Sequence, residues 1–339
     1  MKWYQKRWVV TGVLGPLTLF FVWFALRVSI LRPEDPIPPP EPPSTAVSEP
    51  EPAPAPSEPA PAPEPPERLL FKFETRFKAG KKFKNRGVNI KLLADKLQDL
   101  TLKPGEDFSF NKTVGPRTLK EGYKSAPTYF LGEVIPGVGG GSCQISSTLY
   151  AVALHSGVEI TDRRPHSRKS KYIPAGLDAT VSYPKECWDA KKPDKRVCFD
   201  LKFRNPFDFP IRFHFEIGDI EVDKKKKKTR SLTVSVFGTG EIPKVTTKWR
   251  PYSNAPFKVR YRKVSWWEDD RKKLKQSGQA GLRGARLITL EYPDHIEKRV
   301  VHSKYQPVPE VWEVGLAFEK PEEPDAGAPE EPDAGAPEE

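Results

Sequence analysis

Cysteine is scarce in this chain, three residues in 339, and histidine is hardly commoner at five. A metal site built on Cys187 and Cys198 would lack its other two ligands, so neither a metal nor a cofactor is expected. Charge is missing from residues 8–26, WVVTGVLGPLTLFFVWFAL, an apolar run of about the length that crosses a bilayer. No small-x-small cleavage site closes that run; Lys2, Lys6 and Arg7 precede it and Arg27 and Arg32 follow. The reading is a cytoplasmic N-terminus at 1–7 and a single transmembrane signal anchor at 8–31, with the rest of the chain extracytoplasmic. A cleaved signal peptide or a buried core helix is the alternative. Amide donors are missing from much of residues 32–67, a proline-rich linker that should populate polyproline II and reach up to ~100 Å. Apolar side chains are nearly absent from 319–339, an acidic Pro/Ala repeat with nothing to bury and therefore a disordered tail. With 38 prolines and a net charge of +11, a single globular protein of average composition is excluded.

The globular material lies between these flanks. Residues 68–230 carry 34 basic and 19 acidic side chains, an excess that would suit nucleic acid. An exported domain does not meet nucleic acid. The polyanions available to it are wall polymers and phospholipid headgroups, so no nucleic-acid partner is expected. The KKKKK run at 224–228 reads as a solvated loop or as a binding patch.

Cys187 and Cys198 bracket the lysine-rich segment WDAKKPDKRV, which looks like a hairpin loop between two strand-like runs. Outside the cytoplasm such a pair can be a disulfide, worth about 2–3 kcal/mol by loop closure; the alternative is two independent thiols. If the two pair, Cys143 is left over and needs a reason to stay reduced.

Cys143 stands in GGGSCQISSTLYAVALHSG, where Ile145, Leu149, Val152 and Ala153 recur at helical spacing and Gly157 supplies a stop. The spacing predicts a helix with Cys143 at its N-terminus, where the dipole and unpaired amides favour a thiolate. The preceding glycines, Gly140 and Gly141 above all, would leave backbone donors open to an oxyanion. A packed structural cysteine after a glycine turn would look similar. Downstream, VEITDRRPHSRKS reads as a strand ending in a proline turn that presents His166. GLDATVSY then reads as a further strand with Asp178 near its mouth. Cys143, His166 and Asp178 are therefore the expected nucleophile, base and orienting group. His155, in the last turn of the expected helix, is the alternative base. Arg163, Arg164 and Arg168 are expected substrate-binding groups for carboxylates, the alternative for at least two of them being a solvated basic face.

The order of several motifs resembles the VanW family. These are NRGVNIKLLADKLQDLTLKPGEDFSFNKTVGPRTLKEGYKSAP, GGGSCQISSTLYAVAL, RRPHS, YIPAGLDATV and DLKFRN, and the resemblance covers roughly residues 85–217. It implies cell-wall work. Some members are associated with L,D-transpeptidase activity through a cysteine, a role that falls here on Cys143 with peptidoglycan stem peptides as partners. The chain departs from the usual pattern by inserting ECWDAKKPDKRVC. The last stretch, residues 231–318, is strand-rich with glycine-containing turns and is similar to the G-five module. That similarity implies a cell-surface or amino-sugar-binding role, although YPDHIEKRVV lacks the usual turn glycine.

The expected architecture is thus α+β: a membrane-anchored VanW-like catalytic domain at 68–230 with its nucleophile at a helix N-terminus, followed by a small β-rich module at 231–318. Transpeptidation is the leading expectation. A non-catalytic protein that binds peptidoglycan, amino-sugar or anionic wall polymers, or a cysteine peptidase of peptidoglycan, is the alternative.

Overall fold

A computed structural model describes residues 65–130, 133–188 and 196–321. The apolar run at 8–26 and most of the linker and acidic tail lie outside the described residues. Among the described residues no helix is long and apolar enough to cross a membrane.

In chain order the first part comprises β1 (Arg68–Lys78), α1 (Lys84–Leu97), β2 (Leu100–Leu102), β3 (Asp107–Ser109), α2 (Phe110–Val114), β4 (Ser125–Phe130) and β5 (Glu133–Val138). Next come α3 (Ser142–His155), β6 (Glu159–Asp162), α4 (Lys185–Trp188), β7 (Lys202–Arg204), β8 (Ile211–Ile217), β9 (Glu221–Val222) and β10 (Lys228–Gly238). The C-terminal part holds β11 (Lys244–Ala255), β12 (Val259–Lys263), β13 (Lys272–Gln276), β14 (Gly281–Glu291), β15 (Ile296–Tyr305) and β16 (Glu310–Val314).

The main sheet is antiparallel in the order β1-β10-β8-β2, with β9 paired to β10. Its strands alternate as half-buried strands must. β8 turns Ile211, Phe213 and Phe215 inward, and β10 turns Leu232, Val234 and Val236 inward. α1 contributes Ile90, Leu93, Ala94 and Leu97, one helical stripe, to the same core. α3 is buried along almost its whole length between the sheet, α1 and the segment carrying Leu177 and Ala179.

The expected domain limit at 230 is corrected by this topology. β10 is the inner strand between β1 and β8, so the first domain extends to Gly238. Residues 224–227 of the lysine run form the exposed turn between β9 and β10, where Asp223 Oδ1 accepts from the amides of Lys225 and Lys227, and Lys228 opens β10.

The C-terminal part forms two three-stranded sheets, β11-β14-β15 and β12-β16-β13, the pair β12 and β16 being parallel. Its first sheet packs on the preceding domain, and Ile288 and Leu290 of β14 belong to the common core. Gly157 makes the approach possible: with φ of 79° it closes α3, and a Cβ there would meet Pro243 Cγ at 2.7 Å.

Candidate active site

α3 begins in a glycine turn fixed from both sides. Asn89 Nδ2, from α1, donates to the carbonyls of Lys124 and Gly140 at 2.9 and 3.0 Å, and Asn89 Oδ1 accepts from the Lys124 amide at 2.8 Å. Gly141, at φ 125°, caps the helix, and a Cβ on it would meet Ile90 at 2.9 Å. Gly140 faces β4, where a Cβ would meet the carbonyl oxygens of Ala126 and Pro127 at 2.9 Å. The expected pairing of Gly140 with Gly141 as an oxyanion cradle is corrected accordingly. Gly139 and Gly141 line the cavity beside Cys143, and Gly140 is not among its lining residues.

That cavity, about 330 Å³, is walled by Cys143, His166, Tyr172, Arg86, Arg117 and the 180–184 segment, among others. Cys143 sits half-buried in the first turn of α3, its thiol 3.5 Å from the Val181 carbonyl oxygen to which it donates. His166 is buried in the loop after β6. Its backbone amide and its Nδ1 both lie 2.7 Å from Asp178 Oδ2. The other carboxylate oxygen, Oδ1, accepts from Arg163 Nη2 at 3.0 Å and from the Tyr305 hydroxyl at 2.5 Å. Asp178 is only 1% exposed, so these donors replace the water it has lost.

The electrostatics favour negative charge on Cys143 and positive charge on His166. Burial pushes the Cys143 thiol up, but a hydrogen bond and charge from His166, with Arg117 behind them, bring it below its ordinary value. Burial pulls His166 down, and Tyr172, Asp178 and Cys143 together lift it well above the usual imidazole range. Burial also raises Asp178, yet the His166 hydrogen bond and the charges of His166 and Arg163 hold it at about 2. Tyr172 closes the far side, its hydroxyl donating to the Cys143 carbonyl at 3.1 Å and lying 3.4 Å from His166 Nε2.

The structure therefore brings Cys143, His166 and Asp178 together, and it separates the alternative base. His155 stands at the other end of α3, about 18 Å along the axis, where Nδ1 meets the Ala151 carbonyl and Phe71 stacks on the ring. The three arginines expected at the substrate do not line the cavity. Arg163 is buried against Asp178, with Nη1 on Ser303 Oγ at 2.9 Å, and Arg164 lies over Phe199 at 4.0 Å. Arg168 is likewise outside the cavity wall. Asp178 also lies outside any strand. Its segment is held by α3 side chains: Ser147 Oγ accepts from the Ala179 amide at 3.0 Å, and Ser146 Oγ donates to the Ala179 carbonyl at 2.7 Å.

Arg86, Arg117, Tyr172 and Tyr305 were not singled out from the sequence. Arg86 and Arg117 sit inside the quoted motifs NRG and GPR, but nothing in those letters aims them at residue 143. Cys187 and Cys198 form a disulfide with a Cα separation of 5.6 Å, tethering the segment after Pro184 at the cavity rim.

A cysteine at a helix N-terminus, a histidine on the same cavity and a buried aspartate hydrogen-bonded behind the histidine make up the arrangement of the cysteine–histidine–carboxylate class of sites. Residues 85–225 match the family described as VanW like protein, so this stretch is a VanW-like domain. It is 42% identical over 128 residues to YoaR of Bacillus subtilis, covering 38% of this chain and 38% of that one. It is 34% identical over 143 residues to the vancomycin B-type resistance protein VanW of Enterococcus faecalis, covering 41% of this chain and 47% of that one. The matches thus span less than half the length of either relative. An IgA1 protease G5 domain structure aligns with 22% of this chain and 93% of its own length, at 15% identity and a TM-score of 0.16, too slight a likeness to carry an argument.

Proposed function

We propose that this chain is a cysteine acyltransferase of the bacterial cell wall, an L,D-transpeptidase acting on peptidoglycan stem peptides. The observation that carries the reading is that Cys143 and His166 line one cavity, with the buried Asp178 hydrogen-bonded behind His166. The setting is supported by the VanW-like domain, one relative being by name a vancomycin-resistance protein. Anchoring by the run at 8–26, with the domain outside the cytoplasmic membrane, belongs to the same proposal.

The Cys143 thiolate attacks the donor's peptide carbonyl carbon, and amides at the start of α3 hold the oxyanion. As the tetrahedral intermediate collapses, the C–N bond to the leaving residue breaks and the His166 imidazolium gives that nitrogen its proton. The product is a thioester on Cys143. An amine of a second stem then loses a proton to His166 and attacks the thioester carbonyl, which forms the cross-link and releases the thiolate. Asp178 keeps Nδ1 of His166 occupied, so that Nε2 does the proton transfer.

Analysis of wall fragments after expression of the wild type and of Cys143→Ala tests the reading. New dimers joined through third-position residues, present only with the wild type, support transfer. Cross-links lost only with the wild type mean that water takes the amine's place. Identical fragments in both overturn a catalytic role and favour wall binding.

A further inference from the structure

Among the described residues, two guanidinium groups, Arg86 and Arg117, line the cavity with Cys143, and no aspartate or glutamate does. Neither arginine takes part in an ion pair among the described residues. Arg117 is built into place. Its Nη1 donates to Asn111 Oδ1 at 2.8 Å and to the Gly115 carbonyl at 3.1 Å, and its guanidinium carbon lies 5.5 Å from the Tyr183 ring centre. Asn111 is itself fixed, its amide nitrogen donating to Asp200 Oδ1 at 2.9 Å and its Nδ2 to the Phe199 carbonyl at 2.8 Å. Gly139 lets the arginine stem come close, since a Cβ there would meet Arg117 Cβ at 2.9 Å. Arg86 approaches from α1, tied by Nη2 to Gln144 Oε1 at 2.9 Å. Burial lowers the basicity of Arg117 although the charges of Cys143 and Asp200 act to raise it, the mark of a cation whose lost water is only partly replaced. A rigid, partly dehydrated pair of cations beside a nucleophile is a receptor for an anion, and the planar fork of arginine matches a carboxylate.

We propose that Arg86 and Arg117 form a carboxylate-binding subsite beside Cys143, so that the acyl donor carries a free carboxylate next to the carbonyl under attack. The inference rests on the cysteine reading above and adds the substrate's charge to it. It moves the anion-binding role from Arg163, Arg164 and Arg168 to residues on α1 and on the loop after α2.

Two reagents that differ only in that group provide the test. Iodoacetate and iodoacetamide both form a bond from the Cys143 sulfur to carbon as iodide leaves; one carries a carboxylate and the other an amide. The ratio of their rates at one pH cancels the thiolate fraction, so changes in thiol acidity do not enter. On the full chain, iodoacetate is expected to react faster than iodoacetamide. Arg86→Gln and Arg117→Gln are each expected to lower the ratio by about three- to tenfold, and added salt should lower it in the wild type. Arg86→Gln alone decides the matter if Arg117→Gln does not fold, since Arg86 spends only one contact on the fold. A ratio unchanged in the variants overturns the subsite and leaves the cysteine reading standing, because the His166 charge would then account for any preference. A Cys143 that reacts with neither reagent overturns the cysteine reading, and the subsite with it.

Discussion

Asp178 collects its donors from far apart in the chain: His166 twelve residues before it, Arg163 fifteen before it, and Tyr305 at a separation of 127. Removing the carboxylate would leave Arg163 buried and unpaired, so Asp178→Ala should cost about 3–5 kcal/mol in urea unfolding as well as the reaction. Tyr305→Phe removes one bond to a charged group and should cost about 1.5–3 kcal/mol in the same assay. The pH dependence has a definite sign. Folding holds Asp178 at about 2 against an ordinary 3.8, so its contribution is present above 3.8 and lost as pH falls through about 2. That shift corresponds to roughly 2 kcal/mol, and unfolding free energies measured across this window in wild type and Asp178→Asn should converge at the acid end. The grouping of Cys143, His166 and Asp178 was legible in the sequence from their order and their flanking turns. Arg163 was read as a substrate group because a surface arginine and a buried one have the same letter; only the Asp178 contact distinguishes them.

At the scale of the element, α3 does two jobs. Its apolar residues fill the core as their spacing predicts, and its serines take over a task that a neighbouring strand usually performs. The GLDATVSY segment has strand-like letters, yet Ser146 and Ser147 satisfy the Ala179 backbone, leaving Asp178 on a loop set by a helix. No periodicity encodes that substitution. Ser147→Ala should strand the buried Ala179 amide, cost about 1–3 kcal/mol, and slow Cys143 alkylation by loosening the loop that positions the base; unfolding and labelling rates on the same variant check both. The end of α3 was legible: Gly157 at positive φ, with Val158 N bonded to Ala153 O at 3.0 Å, closes the helix where the sequence places its stop. Reduction of Cys187–Cys198 should cost about 2–3 kcal/mol by loop entropy, measured as a lower urea midpoint in reductant.

Across the whole molecule, the sequence boundary between the VanW-like domain and the β-module fell inside a strand. β10 reads like the start of the strand-rich C-terminal stretch, because alternation gives a strand's faces but not its partners. A chain shortened to end at Arg230 should lose cooperative unfolding, since β1 and β8 would face each other across a missing strand. A chain ending beyond Gly238 but without β15 should fold less stably and react more slowly, because Ser303 and Tyr305 both reach the Asp178 cluster. The module is therefore part of the site's frame. The pH dependence of Cys143 alkylation by iodoacetamide, compared between wild type and His166→Gln, tests the central claim most directly. The account predicts labelling with a midpoint below the ordinary thiol value of 9.0 in the wild type, moved upward in His166→Gln. A wild-type thiol that resists labelling until the protein unfolds, or one whose midpoint is the same in both proteins, would contradict it.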